Sequence, residues 1–276
     1  MNNRVANRYF APEEFVVTKE HRRFVEFCDA CRHYRYIGVC YGSPGVGKTL
    51  SARRYARWDL VDSIVPGYMG PEELDLPASV GACRAVLYTP TVDNTPGRIA
   101  QEVGSLRQSL SYAVDDAIRT RRGRELRGAP PDRTEMILVD EADRLKMSEL
   151  EQLRDIYDRG PLGLVLIGMP GIEKQLARYP QLYSRVGFVH QFRTLEADEV
   201  HLILERKWRQ LEPKLKPDEF ADAEAIAAII RVTAGNFRLI QRLLAQIERI
   251  LRINELHAVT KEVVDTARES LVIGVS

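Results

Sequence analysis

The residue pattern with the clearest chemical meaning is a glycine-rich turn, GSPGVGKT, at residues 42–49. The apolar run YIGVC precedes it and LSARRYARW follows it, so we expect the turn to join a strand to a helix. Glycines at these spacings let successive backbone N–H groups face one anion, and the first turn of a helix adds positive charge. The pattern therefore predicts a site for nucleotide phosphates rather than a chance glycine turn.

The phosphate site predicted in this way consists of Gly42, Ser43, Pro44, Gly45, Val46, Gly47, Lys48 and Thr49. We expect the Lys48 ammonium to reach the β- and γ-phosphates of a nucleotide. The Thr49 hydroxyl is expected to bind Mg²⁺. Both cofactor predictions, a nucleotide and Mg²⁺, follow from these two side chains.

A second pattern, MILVDEAD at residues 136–143, places acids directly after four apolar residues. This arrangement favours a buried strand that ends in carboxylates over a solvated acidic loop. Asp140 is then a predicted Mg²⁺ ligand, directly or through water. Glu141 is the predicted group that orients the water attacking the γ-phosphate, because ligands of open α/β sheets gather at the carboxyl ends of strands.

The letters DEAD also suggest a helicase, and the phosphate turn alone would suit a GTPase. A helicase of that class needs a second sheet domain, whereas only helical patterns follow Leu195. A GTPase would need an Asn-Lys-x-Asp segment to read its base, and the sequence has none. We therefore predict ATP as the nucleotide.

Two arginines are candidates for neutralising charge on the transferred phosphoryl group. Arg185 precedes the last apolar run, and Arg238 begins a helical pattern in the tail. A neighbouring subunit can supply an arginine finger, and an arginine of the tail can sense the γ-phosphate. The alternative for each is a plain surface arginine, since the chain has 40 lysines and arginines.

The elements that must position these residues can be read from hydrophobic periodicity. Five apolar runs are predicted as strands, within 36–41, 84–89, 135–143, 162–170 and 186–192. Helical patterns cover 18–34, 48–60, 96–123, 148–160 and 171–185 (broken at Pro180), and then 196–211, 219–232, 236–254 and 260–271. The segment 61–83, with three prolines and three glycines, is predicted as a loop insertion. Strands alternating with helices predict an α/β fold with a parallel sheet covered on both faces.

The change from alternating strands and helices to helices alone defines the predicted domains. They are an N-terminal arm at 1–17, an α/β nucleotide-binding domain at 18–195 and a helical domain at 196–276. No internal repeat is visible.

Composition sets limits on location and partners. The 276 residues carry a formal charge of +1, so any nucleic-acid surface must be a local patch. The N-terminus lacks an apolar signal core, and no run approaches the ~20 apolar residues of a membrane span. We therefore expect a bacterial cytoplasmic protein without a membrane partner.

The four cysteines, Cys28, Cys31, Cys40 and Cys83, are predicted as core thiols; a zinc or redox role for the CxxC pair is the alternative.

Taken in order, these motifs resemble the AAA+ ATPases, and within them the transposition ATPases of the TnsC, TniB and MuB type. The residues that carry the resemblance are LVDEADRLK at 138–146, LVLIGMPGIEKQLARYPQLYSRVGFVHQF at 164–192 and TAGNFRLIQRLL at 233–244. It covers about residues 18–255, and its implied fold is an AAA+ P-loop NTPase with a five-stranded parallel sheet and a C-terminal helical lid.

The resemblance implies a protein that binds ATP and oligomerises on double-stranded DNA as a ring or helical filament. It implies further partners in a transposase and a target-selection protein, and hydrolysis that drives disassembly. Carried over by position, Arg185 acts in trans and Arg238 is the sensor of the lid. The strand in the sensor-one position ends in Gly168-Met169-Pro170 instead of a polar residue, so slow hydrolysis is expected. The alternatives are an AAA+ ATPase acting on a protein partner, such as an ExeA-like secretion ATPase or a defence switch, and a nucleotide-gated scaffold.

Two segments are candidates for contacting DNA. The first is the arginine tract at 119–128, with Arg119, Arg121, Arg122 and Arg124, for which a solvated helix end is the alternative. The second is the loop and helix start at 89–98. There Thr91, Asn94, Thr95 and Arg98 are expected to contact phosphates through hydroxyl, amide and guanidinium groups. Since no base-reading motif is visible, we expect little sequence preference.

Overall fold

The computed structural model describes residues 15–69, 76–122, 129–211 and 220–271, which pack as two compact units. The first unit contains Phe15, His21–Gly42 and Lys48–Gln191, and the second contains Val16–Glu20, Ser43–Gly47 and the described residues from Phe192 onwards. Two short segments from the N-terminal half thus group with the helical tail. The domain limits drawn from the sequence, with a boundary at Leu195, stay a prediction.

The first unit is built on a five-stranded parallel sheet, which confirms the predicted α/β fold. Its strands are β1 (Ile37–Tyr41), β2 (Ala85–Tyr88), β3 (Met136–Val139), β4 (Gly163–Gly168) and β5 (Val186–Gln191). Their order across the sheet is β2-β3-β4-β1-β5.

The burial of the strands shows that helices and loops cover both faces of the sheet. Every residue of β2, β3 and β4 is buried, although successive side chains point to opposite faces. Edge strand β5 instead alternates between half-buried and exposed residues. In register, Tyr41 lies beside Gly168 and Val139 beside Leu166, so the carboxyl ends of β1, β3 and β4 meet at one edge.

Six helices accompany this sheet in the part of the chain that the structure describes. They are α1 (Lys19–Tyr34), α2 (Lys48–Ala56), α3 (Pro96–Arg122), α4 (Met147–Arg159), α5 (Ile172–Leu176) and α6 (Pro180–Tyr183). Helix α1 packs so closely on β1 that a Cβ at Gly38 would overlap the Cys31 sulfur and the Phe27 ring. All four cysteines are buried, and burial raises the pKa of the Cys31 thiol to about 12.

Two local features differ from the sequence-based expectation. The helix predicted over 48–60 ends at Ala56, where Arg57 adopts a left-handed φ of 52° and a short 3₁₀ turn follows. The segment predicted as a loop contains a 3₁₀ helix at Ala78–Ala82. Both 3₁₀ segments, of three and five residues, are too short to produce a periodic apolar pattern, which explains why the sequence did not indicate them.

The second unit is helical, with α7 (Ala197–Leu211), α8 (Phe220–Thr233), α9 (Phe237–Ile253) and α10 (Lys261–Glu269). Its core is aliphatic and includes Val200, Leu204, Ile229, Leu243 and Val264. Among the helices within the described ranges, none combines the length and apolar character needed to cross a membrane.

Within the second unit, which includes Val16–Glu20, the Glu199 carboxylate binds backbone N–H groups at the starts of α1 and α7. It accepts hydrogen bonds from the backbone N–H of Lys19 at 2.6 Å and from that of Glu196 at 3.0 Å. The Lys19 ammonium in turn binds Glu196 at 3.0 Å and Asp198 at 2.7 Å. Glu199 therefore satisfies orphan donors at two helix N-termini at once, where negative charge is favourable.

Gly235 offers a test of the backbone between α8 and α9. Its φ is +72°, its carbonyl accepts from Leu195 N–H at 3.0 Å, and a Cβ there would overlap the Leu195 carbonyl. We expect Gly235→Ala to lower the free energy of unfolding by about 3 kcal/mol or more, since backbone atoms cannot move aside. Gly171→Ala, at φ +107° with open space around it, should cost only about 1–2 kcal/mol of backbone strain. Equal losses in urea titrations would contradict this reading of Gly235.

Candidate nucleotide-binding site

The glycine-rich turn lies between β1 and α2, as the sequence predicted. Gly45 and Gly47 adopt φ angles of +83° and +111°, which other residues rarely take. The Lys48 ammonium donates to the Gly42 carbonyl at 2.5 Å. Because α2 begins at Lys48, its first N–H groups lie directly after the turn, the arrangement that favours an anion.

Residues at the start of α9 hold the turn from the carbonyl side. The Asn236 side-chain amide donates to the Pro44 carbonyl at 2.8 Å, and the Arg238 N–H donates to the Gly45 carbonyl at 2.9 Å. A Cβ at Gly45 would lie 2.6 Å from Asn236 Oδ1 and 2.7 Å from Arg238 Cβ. The side chain of Arg238, the predicted sensor, is exposed.

Thr49 and Asp140 are brought together at the carboxyl edge of the sheet. The Thr49 hydroxyl donates to Asp140 Oδ2 at 2.6 Å, and the Glu141 N–H donates to Asp140 Oδ1 at 2.9 Å. Burial raises the pKa of the Asp140 carboxyl, while these two hydrogen bonds and the Lys48 charge oppose the rise. A hydroxyl beside a carboxylate is the oxygen donor set that suits Mg²⁺.

Glu141 is held in a strained and paired conformation. Its φ is 52°, in the left-handed region, and its side chain forms an ion pair with Arg144 at 2.5 Å. Arg144 also donates to the Pro90 carbonyl at the end of β2, at 3.4 Å. Strained backbone of this kind is frequent at functional sites.

The end of β4 carries a polar group that the sequence did not indicate. Gly168, Met169 and Pro170 supply no polar side chain, but the Asp143 carboxylate accepts the Met169 N–H at 3.0 Å. Asp143 reaches this point from the 3₁₀ turn Ala142–Arg144 that follows β3. A carboxylate therefore stands where the AAA+ resemblance placed a sensor residue on the strand itself.

Arg185 lies just before β5 and is bound within its own unit. Its guanidinium contacts Asp158 of α4 at 2.6 Å and the Gln181 carbonyl of α6. Asp158 is shared, since its other oxygen binds Arg154 at 2.8 Å. The role of Arg185 as a finger stays a prediction.

The polar groups of the loop at 89–98 bind one another. Thr91 and Asn94 are linked by a hydroxyl–amide contact at 3.0 Å, and Thr95 accepts the Arg98 N–H at 3.2 Å. The Arg98 guanidinium pairs with Glu102 at 2.8 Å. Thr91, Thr95 and Arg98 nevertheless line an open groove of about 840 Å³ beside β2. Contact with DNA at this loop stays a prediction.

The arginine tract begins at the end of α3. Arg119 forms an ion pair at 2.5 Å with the buried Asp115, which also binds Arg133 at 3.0 Å. Arg121 and Arg122 complete α3, and their side chains lie outside the described part of the structure, as does Arg124 entirely. Asp115 therefore links α3 to the segment before β3, whereas Arg119 pairs within α3 itself.

Sequence reasoning missed four residues that restrain the predicted site residues, namely Asn236, Arg144, Asp143 and Asp158. Asn236 had a usable signal, because asparagine directly before a helical pattern is a typical N-cap. Arg144 lies only three residues from Glu141, whereas Asp143 and Asp158 act over 26 and 27 residues, and no short-range spacing indicates those two.

Comparisons with known proteins agree with this geometry. Residues 31–176 match the family described as AAA domain. A potential ATP-binding protein of Staphylococcus aureus is 47% identical over 268 residues, which cover 95% of this chain and 98% of the relative.

Solved structures with low sequence identity share the fold. Cdc6p of Pyrobaculum aerophilum aligns with a TM-score of 0.60 and 16% identity, covering 98% of this chain and 71% of that one. RuvB of Thermotoga maritima aligns with a TM-score of 0.58 and 17% identity, and the alignment covers 96% of this chain and 72% of that one. Aeropyrum pernix ORC1 aligns with a TM-score of 0.57 and 22% identity, and the alignment covers 92% of this chain and 65% of that one.

The Thr49–Asp140 hydrogen bond can be tested by stability alone. Thr49→Val keeps the side-chain shape but leaves the buried Asp140 oxygen without its donor, so we expect a loss of about 1–2 kcal/mol in unfolding free energy. Thr266→Val is the matched control. It removes an exposed hydroxyl that donates to the Glu262 carbonyl and should change stability by under about 0.5 kcal/mol. Equal effects in denaturant titrations would argue against a buried, structured pair.

Proposed function

Because this chain belongs to the AAA-domain family, we propose that it is an ATPase that assembles on double-stranded DNA and recruits a transposase to it. The observation that carries the catalytic part is the cluster of Lys48, Thr49 and Asp140 at the carboxyl edge of the sheet. Its hydroxyl and carboxylate lie 2.6 Å apart, directly after a phosphate-binding turn.

In this proposal the turn and the α2 N-terminus bind the phosphates of ATP. Lys48 leaves the Gly42 carbonyl to reach the β- and γ-phosphates, and Thr49 and Asp140 hold Mg²⁺. The bound ion would offset phosphate charge. The Staphylococcus aureus relative, named a potential ATP-binding protein, supports the nucleotide assignment through its 47% identity.

Hydrolysis requires groups that are restrained in the isolated chain. Glu141 orients the attacking water once its carboxylate leaves Arg144, from which it is 2.5 Å away. Arg185 acts on the γ-phosphate of a neighbouring subunit after leaving Asp158. Arg238 senses the γ-phosphate from the start of α9. Activity is therefore slow in the monomer and depends on assembly.

The DNA and transposition part of the proposal rests on sequence resemblance. The segment 164–192 resembles the TnsC, TniB and MuB ATPases, which select DNA targets for a transposase. The exposed loop after β2, with Val92 87% exposed, offers a surface beside Arg98. Aeropyrum pernix ORC1 was solved in complex with DNA, but its 22% identity supports the fold alone.

ATP serves as a timer in this scheme. While the γ-phosphate is present, Arg185 of one subunit and Arg238 of another are both engaged, and the ring or filament persists. Hydrolysis removes that shared contact and favours release from DNA and from a target-selection partner. The bacterial cytoplasm is the compartment that supplies ATP and DNA together.

The experiment that tests the function is an ATPase assay with and without duplex DNA. We expect slow turnover that duplex DNA raises about tenfold or more, and we expect Glu141→Gln to lower it at least about 100-fold, because general-base catalysis contributes roughly that much. Asp155→Asn is the control; it removes a carboxylate on α4 that pairs only with Arg159 among the described residues.

Each outcome separates the alternatives. Turnover that is unaffected by DNA but raised by a protein partner would favour an ATPase of the secretion or defence type. A wild type that binds nucleotide but shows no measurable turnover, unchanged in Glu141→Gln, would identify a nucleotide-gated scaffold instead. A wild-type protein that binds no nucleotide would overturn the proposal as a whole.

The intersubunit role of Arg185 predicts complementation. Arg185→Ala and Lys48→Ala should each be inactive alone, whereas a mixture should recover about a quarter or less of the wild-type rate, because only some interfaces pair an intact finger with an intact phosphate site. Arg159→Ala mixed with Lys48→Ala is the control, since Arg159 pairs with Asp155 on the surface of α4. If both inactive variants assemble and show no recovery, Arg185 does not act in trans.

A further inference from the structure

We propose that Asn236 is a positioning residue that turns the backbone N–H groups of the phosphate-binding turn toward the nucleotide. This inference rests on the proposed ATP site and adds a role for the asparagine beside that of Arg238. The observations that carry it are two hydrogen bonds, from Asn236 to the Pro44 carbonyl and from the Arg238 N–H to the Gly45 carbonyl.

The geometry of the peptide bond gives these contacts a direction. In a trans peptide the C=O of one residue and the N–H of the next point in opposite directions, and the described chain has no cis peptide bond. Holding the Pro44 carbonyl at Asn236 therefore points the Gly45 N–H away from α9. Holding the Gly45 carbonyl points the Val46 N–H the same way.

Two adjacent N–H groups that face the same side form an anion-binding nest. A nest requires a left-handed residue, and Gly45 supplies it with a φ of +83°. The start of α9 thus fixes the carbonyl side of the turn and leaves the N–H side for phosphate. The Lys48 ammonium and the α2 N-terminus follow directly along the chain.

Asn236 is well suited to hold the turn because its own side chain is fixed. Its Oδ1 accepts the Leu239 N–H at 3.2 Å, which caps α9, while its Nδ2 donates to Pro44. The cap sets which end of the amide faces the turn. A residue that caps the helix without an amide donor would keep α9 and lose the contact to the turn.

The start of α9 lies so close to the phosphate-binding turn that it excludes a side chain at Gly45. A Cβ there would lie 2.6 Å from Asn236 Oδ1 and 2.7 Å from Arg238 Cβ, both below normal contact distance. Two constraints therefore require glycine at position 45. Its φ is left-handed, and the start of α9 leaves no room for a Cβ. The identity of Gly45 and that of Asn236 are linked.

The Asn236 amide and the Arg238 guanidinium are expected to affect ATP and ADP binding differently. The nest receives phosphates that ATP and ADP share, so loss of the Asn236 amide should weaken both nucleotides by the same factor. Arg238→Ala keeps the backbone N–H to Gly45 and removes only the guanidinium. It should weaken ATP more than ADP, because only ATP has a γ-phosphate.

The experiment is a titration of the full-length protein with ATP and ADP in Mg²⁺, with Asn236→Ser as the main variant. Serine is a good neutral N-cap, so α9 is retained and the amide is lost. We expect Kd to rise about three- to tenfold for both nucleotides, the effect of one hydrogen bond. The protection of the Gly45 and Val46 amides from hydrogen exchange upon ADP binding should fall in parallel.

Thr260→Ala is the matched control. It removes the N-cap of α10, where Thr260 accepts the Val263 N–H at 3.4 Å, and it does not touch the turn. It should lower stability while leaving both Kd values within twofold of wild type. Asn236→Asp is the second variant; it also caps α9, lacks the donor and adds charge, so its loss of affinity should exceed that of serine.

The outcomes distinguish this inference from the function beneath it. If wild type binds nucleotide and both Asn236 variants bind within twofold of it, Asn236 does not position the turn and the inference is overturned. A loss of affinity confined to ATP would also overturn the inference, because the nest is proposed to bind phosphates that ATP and ADP share. Wild type that binds neither nucleotide overturns the proposed ATP site itself.

Discussion

The left-handed backbone of Gly45 is the constraint on which the candidate site depends. A turn can present successive N–H groups to one anion only if a residue in it takes a positive φ, and Gly45 does so at +83°. That conformation leaves the Pro44 and Gly45 carbonyls on the opposite side, where the start of α9 binds them. The phosphate-binding turn is therefore packed by the helical unit, although it is covalently part of the strand–helix connection.

The parallel sheet supplies the second requirement, a common edge for groups far apart in sequence. Thr49 and Asp140 are separated by 91 residues and lie 2.6 Å apart, because β1 and β3 end at the same edge. The cost of burying the Asp140 carboxylate is partly offset by donors from Thr49 and the Glu141 backbone, and burial still raises the pKa of this carboxyl. The fold itself thus holds a hydroxyl and a carboxylate together, which reduces the reorganisation that binding an ion would need.

The fold and the phosphate motifs could be predicted from the sequence because they rest on local signals. Strands such as β4 are continuous apolar runs, and the spacing of the turn is set by backbone geometry. The restraints on Arg185 and on the end of β4 could not be predicted, since they depend on tertiary contacts. Asp158 meets Arg185 across 27 residues, and Asp143 reaches Met169 across 26. Nothing in a local pattern indicates such partners.

The ion pairs that restrain Glu141 and Arg185 are weak enough to act as reversible restraints. The Glu141 and Arg144 side chains are 45% and 44% exposed, and those of Arg185 and Asp158 are about one-third exposed. Pairs in such surroundings contribute only about 0–1 kcal/mol. A γ-phosphate or a neighbouring subunit that offers a stronger contact can therefore separate them at small cost. By contrast, Asp140 is buried, so in the proposed scheme its partners stay in place while Glu141 and Arg185 change theirs. Burial thus divides the proposed site into a fixed part, Thr49 and Asp140, and a more exposed part, Glu141 and Arg185, to which the proposal assigns the response to assembly.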